Sequence, residues 1–345
     1  MLEIVFLSDG KISDTDIPSR LSKHISYEKD VNIRFFSLST FSILTIYKIF
    51  VFHFFRRKKL IIHTHHFKGA FFIFFLKILF QKNKSKNIKW IHTFHSERIR
   101  FKGIKKILNY IIYNKCDQLI GVSYNVSTEW KKFLRSENIT TILNGISKED
   151  YLIIKNKDKR SDKKIKILWV GRMEKIKNPL LILRSIYHLK SSKSIDLVII
   201  GKGTLLNKVK KEIMIIKQRL DKKNINIKLY SEIDRIKVLE HFGDSDVYIN
   251  TSFSEAFCTT ALEAFVNQKC YLILPDIKCL RQIYDFNNVI YYESDSSLKL
   301  AHEIDNLLSK LGKTNIDLKY KKFPDKFKLN ICAKKYVEVY FNSFI

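Results

Sequence analysis

The sequence predicts an α/β protein of two doubly wound lobes, each a parallel sheet with helices on both faces. Three observations support this prediction. The chain has 345 residues, more than one ordinary hydrophobic core accommodates, so about two domains are expected. Short β-branched runs alternate with helical stretches along the whole chain, and a polar, charged segment interrupts this alternation near the middle.

The predicted strands are short, nearly continuous apolar runs rather than alternating ones. Such runs are typical of strands that are buried on both faces of a parallel sheet. Helical stretches separate them, as parallel connections require. The runs lie at 2–7, 60–65, 88–94, 118–123 and 140–143 in the first half, and at 165–170, 196–200, 226–230, 246–250, 271–274 and 288–292 in the second.

The segment KEDYLIIKNKDKRSDKK, at 148–164, is predicted to be an exposed linker because it is polar and charged. It divides the chain into an N-terminal lobe, 1–149, and a C-terminal lobe, 150–328. Residues 329–345 have helical periodicity and are predicted to form a helix that packs back on the N-terminal lobe.

The chain is strongly basic. It has 63 Lys and Arg against 34 Asp and Glu, a formal net charge of +29. Such an excess favours polyanionic partners, namely nucleic acid, anionic lipid headgroups or phosphorylated substrates. A biased genome that favours Ile, Lys and Asn is an alternative explanation for part of it. Because the charge is spread along the chain and no nucleic-acid motif accompanies it, no nucleic-acid partner is expected.

Cysteine and histidine spacing favours neither disulfides nor a metal site. The five cysteines are scattered and form no C-x-x-C pair, which fits a reducing cytoplasm. Five histidines cluster near two strand ends without a carboxylate or cysteine at ligand spacing, whereas zinc needs three or four convergent ligands. No metal and no cofactor are therefore expected. These histidines are His63, His65, His66, His92 and His95.

Two apolar stretches, 41–55 and 70–80, are candidates for membrane helices. Lys48 interrupts the first and Lys77 the second, and both are shorter than the ~18–20 apolar residues that a span needs. They are predicted to be helices that are either buried or lie on a membrane surface. The N-terminus has no basic region before an apolar stretch, so no signal peptide is expected.

The segment VGRMEKIKNP places Arg172 and Lys177 directly after the predicted strand 165–170. Ligands of doubly wound sheets bind at the carboxyl ends of strands. Arg can bind phosphate oxygens in pairs and Lys acts as a point charge, so the loop suits a phosphate-bearing ligand. The alternative is that both are ordinary surface cations.

The segment VIIGKG places Gly201 and Gly203 in the turn from a strand to a helix. Glycine allows the backbone to approach a ligand and to direct amides at phosphate. A plain turn explains the pair equally well, because the longer G-x-G-x-x-G pattern is incomplete.

The segment NTSFSEAFCTTALEAF carries two carboxylates around a helix start. Residues 259–267 are predicted to be a helix with Thr259 or Thr260 near its cap. Glu255 then lies at the mouth of the helix and Glu263 one to two turns inside. Carboxylates accept paired hydrogen bonds from vicinal hydroxyls, which suits a sugar ring and a ribose. Two Glu at this spacing also arise by chance.

Together, these three segments resemble the family 4 glycosyltransferases, which have the GT-B architecture of two Rossmann-like lobes facing a central cleft. The resemblance covers nearly the whole chain and is strongest across 165–284. It implies that the C-terminal lobe binds a nucleotide-sugar donor. The implied contacts are Arg172, Lys177 and Gly203 to the diphosphate, Glu255, Phe257, Cys258, Thr259 and Glu263 to the sugar and ribose, and Tyr230 and Ile233 to the nucleobase.

The N-terminal lobe contains WIHTFHS at 90–96, which resembles the family strand that ends in T-x-H. The resemblance implies that His95 lies beside the transferred sugar, and that His95 and Glu255 are the catalytic candidates. A histidine pKa near neutrality would let His95 position the donor or handle a proton. CDQLIGVS and ILNGIS, at 116–123 and 142–147, match two further family segments.

The sequence departs from the family at several glycines. Only Gly10 follows the first strand where the family has a glycine pair, so the resemblance implies no acceptor contacts. Ala256, Cys258, Ser231 and Gln268 stand at other positions where glycine is frequent.

The resemblance implies a retaining, metal-independent hexosyltransferase that uses a UDP- or GDP-sugar. Its implied acceptor is a glycan or lipid-linked hydroxyl in surface polysaccharide or lipopolysaccharide synthesis. The expected location is the cytoplasm, and the basic, aromatic helices suit a peripheral position on the anionic inner face of the plasma membrane. Other functions stay open: another GT-B enzyme such as a nucleotide-sugar epimerase or a phosphorylase, a non-catalytic partner subunit, or, least favoured, a nucleic-acid-binding protein.

Overall fold

A computed structural model of the protein divides it into two compact units. The first comprises Met1–Gly145 and Asp325–Ile345, and the second comprises Ile146–Pro324. The C-terminal segment therefore belongs to the first unit. The structure describes residues 2–8, 17–37, 40–56, 58–80, 86–97, 103–156, 164–219, 224–311 and 323–345.

The first unit contains a six-stranded parallel sheet. Its strands are β1 (Leu2–Ser8), β2 (Val31–Ser37), β3 (Leu60–Thr64), β4 (Ile88–Phe94), β5 (Gln118–Gly121) and β6 (Ile139–Thr141). They are arranged in the order β2-β1-β3-β4-β5-β6. The strands β1, β3 and β4 are buried almost throughout, which explains why their sequences are continuously apolar.

Helices connect these strands on both faces of the sheet. They are α1 (Ile17–Ile25), α2 (Thr40–Arg56), α3 (Phe67–Leu79), α4 (Ile104–Tyr113) and α5 (Tyr124–Leu134). The chain passes from β1 outward to β2 and then returns across β1 to β3. Right-handed crossovers therefore place α1 on one face and α2 to α5 on the other.

The sequence analysis did not predict β2. This strand lies at the edge of the sheet and pairs only with β1 among the described strands, in the register Leu2↔Val31. Val31 is buried, but Asn32 and Arg34 are exposed. An edge strand that is solvated on one side alternates between apolar and polar residues, so a search for continuous apolar runs does not find it.

The two apolar stretches around 41–55 and 70–80 are helices, α2 and α3. Within the part of the chain that the structure describes, no helix has the length and apolarity needed to cross a membrane. Both helices keep apolar side chains in solvent, since Phe55 is 73% exposed and Leu79 is 71% exposed.

The second unit contains another six-stranded parallel sheet, in the order β12-β11-β10-β7-β8-β9. The strands are β7 (Ile165–Val170), β8 (Ile195–Ile200), β9 (Ile225–Tyr230), β10 (Val247–Ile249), β11 (Tyr271–Pro275) and β12 (Val289–Tyr292). The helices are α6 (Lys148–Lys155), α7 (Pro179–Ile186), α8 (Leu206–Arg219), α9 (Arg235–Gly243), α10 (Thr259–Val266), α11 (Lys278–Ile283) and α12 (Ser297–Lys310).

The prediction of an exposed linker at 148–164 is wrong for its first half, which forms α6. Ser147 caps this helix by accepting a hydrogen bond from the Asp150 amide at 3.1 Å. Ile154 is 1% exposed and anchors the helix in the second unit. The linker residues 157–163 lie outside the described residues.

The last helix, α13 (Leu329–Asn342), packs on the sheet of the first unit, on the same face as α1. Leu329, Ala333 and Tyr336 share a core with Ile4 and Phe6 of β1. This helix thus completes the cover of one face of the sheet.

We expect Gly145→Ala to destabilise the first unit. A Cβ at this position would lie 2.7 Å from the backbone N and Cα of Leu329, at the start of α13, so the chain must shift. The free energy of unfolding should fall by about 1–3 kcal/mol, the usual range for overpacking. The measurement is urea unfolding followed by intrinsic fluorescence.

The matched control is Gly69→Ala in α3, where an added Cβ meets its nearest neighbour, Leu7 Cβ, at an ordinary 3.5 Å. Because glycine inside a helix is less stable than alanine by roughly 0.5–1 kcal/mol, this variant should be neutral or stabilised. An unchanged unfolding midpoint for Gly145→Ala would contradict the packing of α13 described above.

Candidate active site

The second unit reverses its strand order between β7 and β10. The chain runs from β7 outward through β8 to β9, and then returns to place β10 on the other side of β7. Such a reversal opens a crevice at the carboxyl ends of the strands, where doubly wound sheets bind ligands. The loops after β7, β8 and β10 carry the three sequence motifs, so the fold brings all three motifs to this edge.

Lys177 and Glu255 form an ion pair at this edge. Lys177 ends a short 3-10 turn, Lys175–Lys177, and its Nζ lies 2.6 Å from Oε1 of Glu255. Ser252 donates its hydroxyl to the same oxygen at 2.7 Å, and Asn250 donates its amide at 3.2 Å. These donors hold a buried carboxylate in one orientation, and none of the three binds its other oxygen, Oε2.

Further hydrogen bonds fix the two loops that carry this pair. The Phe253 amide donates to the Ile176 carbonyl at 2.9 Å. The Thr251 hydroxyl donates to the Lys177 carbonyl at 2.8 Å and accepts a bond from Trp169 Nε1 at 2.8 Å. The position of Lys177 is therefore set by backbone contacts as well as by its ion pair.

Gly201 and Gly203, which follow β8, have positive φ angles of +151° and +154°. A Cβ on Gly201 would lie 1.9 Å from the Gly171 carbonyl oxygen, and one on Gly203 would lie 2.6 Å from that of Met173. The loop after β7 thus packs directly on the loop after β8. This contact between the loops requires both glycines, whether or not a ligand also approaches them.

Arg172 is exposed on the same packed loop. Its neighbour Glu174 accepts bonds from the Thr204 amide at 3.1 Å and the Thr204 hydroxyl at 2.7 Å. These hydrogen bonds lower the pKa of Glu174. Arg172 therefore extends from a loop whose backbone is held on the neighbouring loop.

Cys258 is the N-cap residue that precedes α10, and its backbone is left-handed with φ +64°. This conformation costs a non-glycine residue roughly 1 kcal/mol, which explains why glycine is common there in the pattern that the sequence resembles. The Cys258 thiol is buried and accepts a bond from Asn250 at 3.1 Å. Burial and, next, Glu255 raise its pKa to about 12, so the thiol stays neutral. Phe257 is also buried, and Thr259 is half-buried.

Glu263, inside α10, is buried in an ion-pair network of the second unit. Arg235 donates to Glu263 Oε1 and, at 2.8 Å, to Asp150 of α6. Burial alone would lower the pKa of Arg235, but the two carboxylates outweigh it and raise the pKa. Glu263 Oε2 is buried and has no hydrogen-bond partner among the described residues.

The expected nucleobase residues lie next to this network in sequence. Tyr230 ends β9 and its ring packs near His241, with centroids 5.5 Å apart. Ile233 is half-buried between β9 and α9, and Arg235 is the first residue of α9. The ion pair of Arg235 with Glu263 thus connects this region to α10.

In the first unit, His95 follows β4 and is hydrogen-bonded to His65. His65 Nδ1 and His95 Nε2 are 2.9 Å apart. Desolvation by burial and, next, His66 lower the pKa of His95 to about 3. The expectation of a pKa near neutrality is therefore wrong, because it ignored the packed surroundings. His95 is neutral at physiological pH and suits a hydrogen-bonding role better than proton transfer.

The three buried histidines of this cluster, His63, His65 and His92, are also neutral. Burial is the largest cause of the lowered pKa of His63, His65 and His92. His63 bonds the Tyr340 hydroxyl at 2.7 Å and the Thr93 hydroxyl at 2.8 Å. No group of three or more His, Cys, Asp or Glu side chains that could hold a metal ion occurs among the described residues.

Sequence reasoning missed the side chains that support the candidate residues. Asn250 had a local signal, since it ends a predicted strand at the edge where ligands bind. Ser252, Arg235 and Asp150 had none, because their roles arise from contacts with elements distant in the chain. The role of His65 likewise depends on the neighbouring strand that carries His95.

Comparison with protein families gives two matches that agree with this geometry. Residues 150–322, half of the chain, match the family described as Glycosyl transferases group 1. Residues 22–150 match the family described as Glycosyltransferase Family 4. These matches confirm the resemblance found in the motifs. Among curated proteins, no match was found.

Several solved structures are similar over nearly the whole chain. HepE from Anabaena, in complex with UDP and glucose, has a TM-score of 0.74 and 12% identity, and the match covers 99% of this chain and 100% of that chain. A glycosyltransferase from Rickettsia africae has a TM-score of 0.71 and 18% identity, with 99% and 98% covered. Sucrose-phosphate synthase from Thermosynechococcus elongatus has a TM-score of 0.74 and 13% identity, and the match covers 100% of this chain and 99% of that chain. These likenesses establish the GT-B fold.

We expect Arg235→Leu to destabilise the second unit by about 3 kcal/mol, because it removes the cation that two largely buried carboxylates, Glu263 and Asp150, share. Urea unfolding measures this loss. The matched control is Arg281→Leu, which removes an exposed pair with Asp276 and should change stability little. Equal losses in both variants would contradict a buried network at Arg235.

Proposed function

We propose that this chain, a GT-B glycosyltransferase of the glycosyl transferases group 1 family, transfers a hexose or related sugar from a UDP- or GDP-sugar to an acceptor hydroxyl. In this proposal, the transfer retains the anomeric configuration and needs no metal ion. The observation that carries this proposal is the Lys177–Glu255 pair at the strand-order reversal of the second unit. It places a cation and a hydrogen-bond acceptor side by side where such sheets bind ligands.

The proposed diphosphate site is formed by Lys177, Arg172, the loop at Gly203 and the start of α10. As the glycosidic bond breaks, the leaving diphosphate gains negative charge that fixed cations can stabilise without a metal. A helix N-terminus adds partial positive charge and amide donors.

The proposed ribose site is Glu263. Its Oε2 is buried and unpartnered among the described residues, and a ribose hydroxyl would supply the missing donor. Tyr230 and Ile233 are the proposed nucleobase contacts, while Arg235 holds the carboxylate in place. The HepE complex contains UDP and glucose, which supports UDP-sugars as the first donors to test.

In the proposed reaction, Glu255 binds hydroxyls of the transferred sugar, together with Phe257, Cys258 and Thr259 around the helix start. Retention follows if the acceptor attacks the face that the diphosphate leaves and a departing phosphate oxygen takes the acceptor proton. No residue is assigned as a covalent nucleophile. Three donors already share Glu255 Oε1, which suits an acceptor of hydrogen bonds better than an attacking group.

The proposed acceptor is a glycan or a lipid-linked glycan of surface polysaccharide synthesis, handled in the cytoplasm at the inner face of the plasma membrane. His95, neutral and hydrogen-bonded to His65, is the proposed contact of the first unit with the transferred sugar. Product analysis distinguishes transfer from epimerisation and phosphorolysis. The anomeric coupling of the product sugar tests retention.

We expect UDP or GDP, with EDTA present, to raise the melting temperature of the wild type, since a ligand that binds only the folded state stabilises it. Lys177→Met should weaken this response, with an affinity loss of about tenfold or more for one charged contact to phosphate. Thermal unfolding with increasing nucleotide measures it, each variant being compared with its own unliganded midpoint.

The matched control is Lys175→Met, in the same 3-10 turn as Lys177 but exposed, which should respond like the wild type. A full response in Lys177→Met would remove Lys177 from the donor site. No response of the wild type to either nucleotide would oppose the proposed donors and favour the non-catalytic subunit.

A further inference from the structure

The first unit carries an apolar face that the transfer reaction does not use. More than half of the exposed large apolar side chains of the described residues lie on three helices, α2, α3 and α4. Those that are 60% to 75% exposed are Leu44, Phe55, Leu79, Ile104 and Ile107. A soluble protein rarely leaves so many large apolar groups in solvent without a partner for them.

These three helices adjoin one another, so their apolar residues form one face. Phe80 directly follows α3, and its ring centroid lies 5.1 Å from that of Phe50 and 5.0 Å from that of Phe54, both in α2. Lys77 of α3 donates to the carbonyl of Lys115, just after α4, at 3.3 Å. The crossover direction also places all three helices on the same side of the sheet.

The three helices of this face carry charges of a single sign. The sequences of α2, α3 and α4 contain no Asp or Glu. Exposed cations stand among the apolar residues, namely Lys48, Arg56, Lys68, Lys105 and Lys106. A protein partner would normally present both signs of charge, whereas an anionic bilayer presents one sign above an apolar interior.

We propose that this face of α2, α3 and α4 docks the protein on an anionic bilayer surface. Its apolar and aromatic side chains enter the interface between headgroups and acyl chains, while its Lys and Arg side chains contact the lipid phosphates. Docking of this kind needs no spanning helix. It would bring the first unit to a lipid-linked acceptor, but it depends only on the surface and not on the proposed reaction.

The test is co-sedimentation with phosphatidylcholine vesicles, with and without phosphatidylglycerol. The wild type should bind the anionic vesicles and lose binding at high salt. The triple variant Phe55→Ser, Leu79→Ser, Ile104→Ser should bind about tenfold more weakly or worse. The matched control changes three apolar residues of the second unit that are also more than half exposed, Met214→Ser, Ile236→Ser and Leu298→Ser, and should bind like the wild type.

Thermal unfolding is measured first, to establish that both triple variants are folded. Failure of the wild type to bind anionic vesicles, or equal binding by the two triple variants, would overturn the proposal. A wild-type dimer that becomes a monomer only in the first triple variant, without vesicle binding, would overturn it in favour of self-association. Vesicle binding is measured without donor or acceptor, so the outcome is independent of the proposed reaction.

In the first unit, His65 is 3% exposed and hydrogen-bonded to His95. The Phe6 ring stacks on it with centroids 5.1 Å apart, and the His63 ring lies 4.2 Å away. Its Nε2 is buried and has no partner in the described part of the chain. This unpaired nitrogen decides which tautomers the two histidines adopt.

Two arrangements of the shared proton are possible for two neutral rings. If His95 donates, the Nε2 of His65 must carry a buried proton without an acceptor. If His65 donates from Nδ1, its Nε2 is a bare nitrogen, and His95 carries its own proton on Nδ1. Buried N–H groups without an acceptor are rarer than unpaired buried acceptors, as backbone groups show, so the second arrangement is favoured.

The geometry points to His65 as a positioning residue that fixes His95 as a neutral donor through Nδ1–H. This inference rests on the proposed function, in which His95 contacts a hydroxyl of the transferred sugar. A sugar hydroxyl oxygen then accepts the His95 proton as a hydrogen bond. His65 touches no substrate and acts only through His95.

The test combines nuclear magnetic resonance with kinetics. Long-range proton–nitrogen correlation reports which ring nitrogen of His95 carries the proton. The wild type and His65→Asn, whose amide nitrogen replaces Nδ1 as a donor, should both show the Nδ1–H form. His65→Phe keeps a ring against Phe6 but has no donor, so it should shift His95 to the Nε2–H form. It should also lower kcat about tenfold or more, and His65→Asn should restore part of this loss.

An Nε2–H form of His95 in the wild type, or an unchanged spectrum in folded His65→Phe, would overturn this inference. The spectrum is recorded without substrates. Absence of transfer activity in the wild type would therefore count against the proposed function, while the tautomer of His95 would still decide the role of His65.

Discussion

The ion pair between Lys177 and Glu255 is the interaction on which the proposed site depends. It joins the loops after β7 and β10, where the strand order reverses, and it brings a lysine beside a buried carboxylate. Burial of a charged carboxylate costs free energy unless a cation and hydrogen bonds compensate for the lost water. Lys177 supplies the cation, and Ser252 and Asn250 supply hydrogen bonds. The same contacts hold the lysine in place before a ligand arrives, so little ordering remains when a diphosphate binds.

The loops and side chains around this edge are also held in place by their neighbours. The loop after β7 must pack on the loop after β8, which requires glycine at 201 and 203. The half-buried Arg235 in turn holds Glu263, whose second oxygen is unpartnered among the described residues. In the first unit, burial keeps His95 neutral and its hydrogen bond to His65 orients it. In both units, buried polar groups are placed by neighbours that are themselves fixed.

Much of the fold could be predicted because buried parallel strands are continuous apolar runs, as β1 and β8 illustrate. The edge strand β2 could not, since Asn32 and Arg34 face solvent between apolar residues. Helix α6 was hidden in a charged segment, although the cap at Ser147 was present in the sequence. The positions of Lys177 and Glu255 followed from their motifs, whereas their contact with each other required the strand order.

The proposed donor site is tested most directly by a crystal structure of the protein with the nucleoside diphosphate that it binds, grown in EDTA. We expect the diphosphate to lie at the carboxyl ends of β7 and β10, with Lys177 Nζ on a phosphate oxygen and Glu263 on the ribose. A diphosphate bound elsewhere in the second unit, or one held through a metal ion in crystals grown without EDTA, would contradict it.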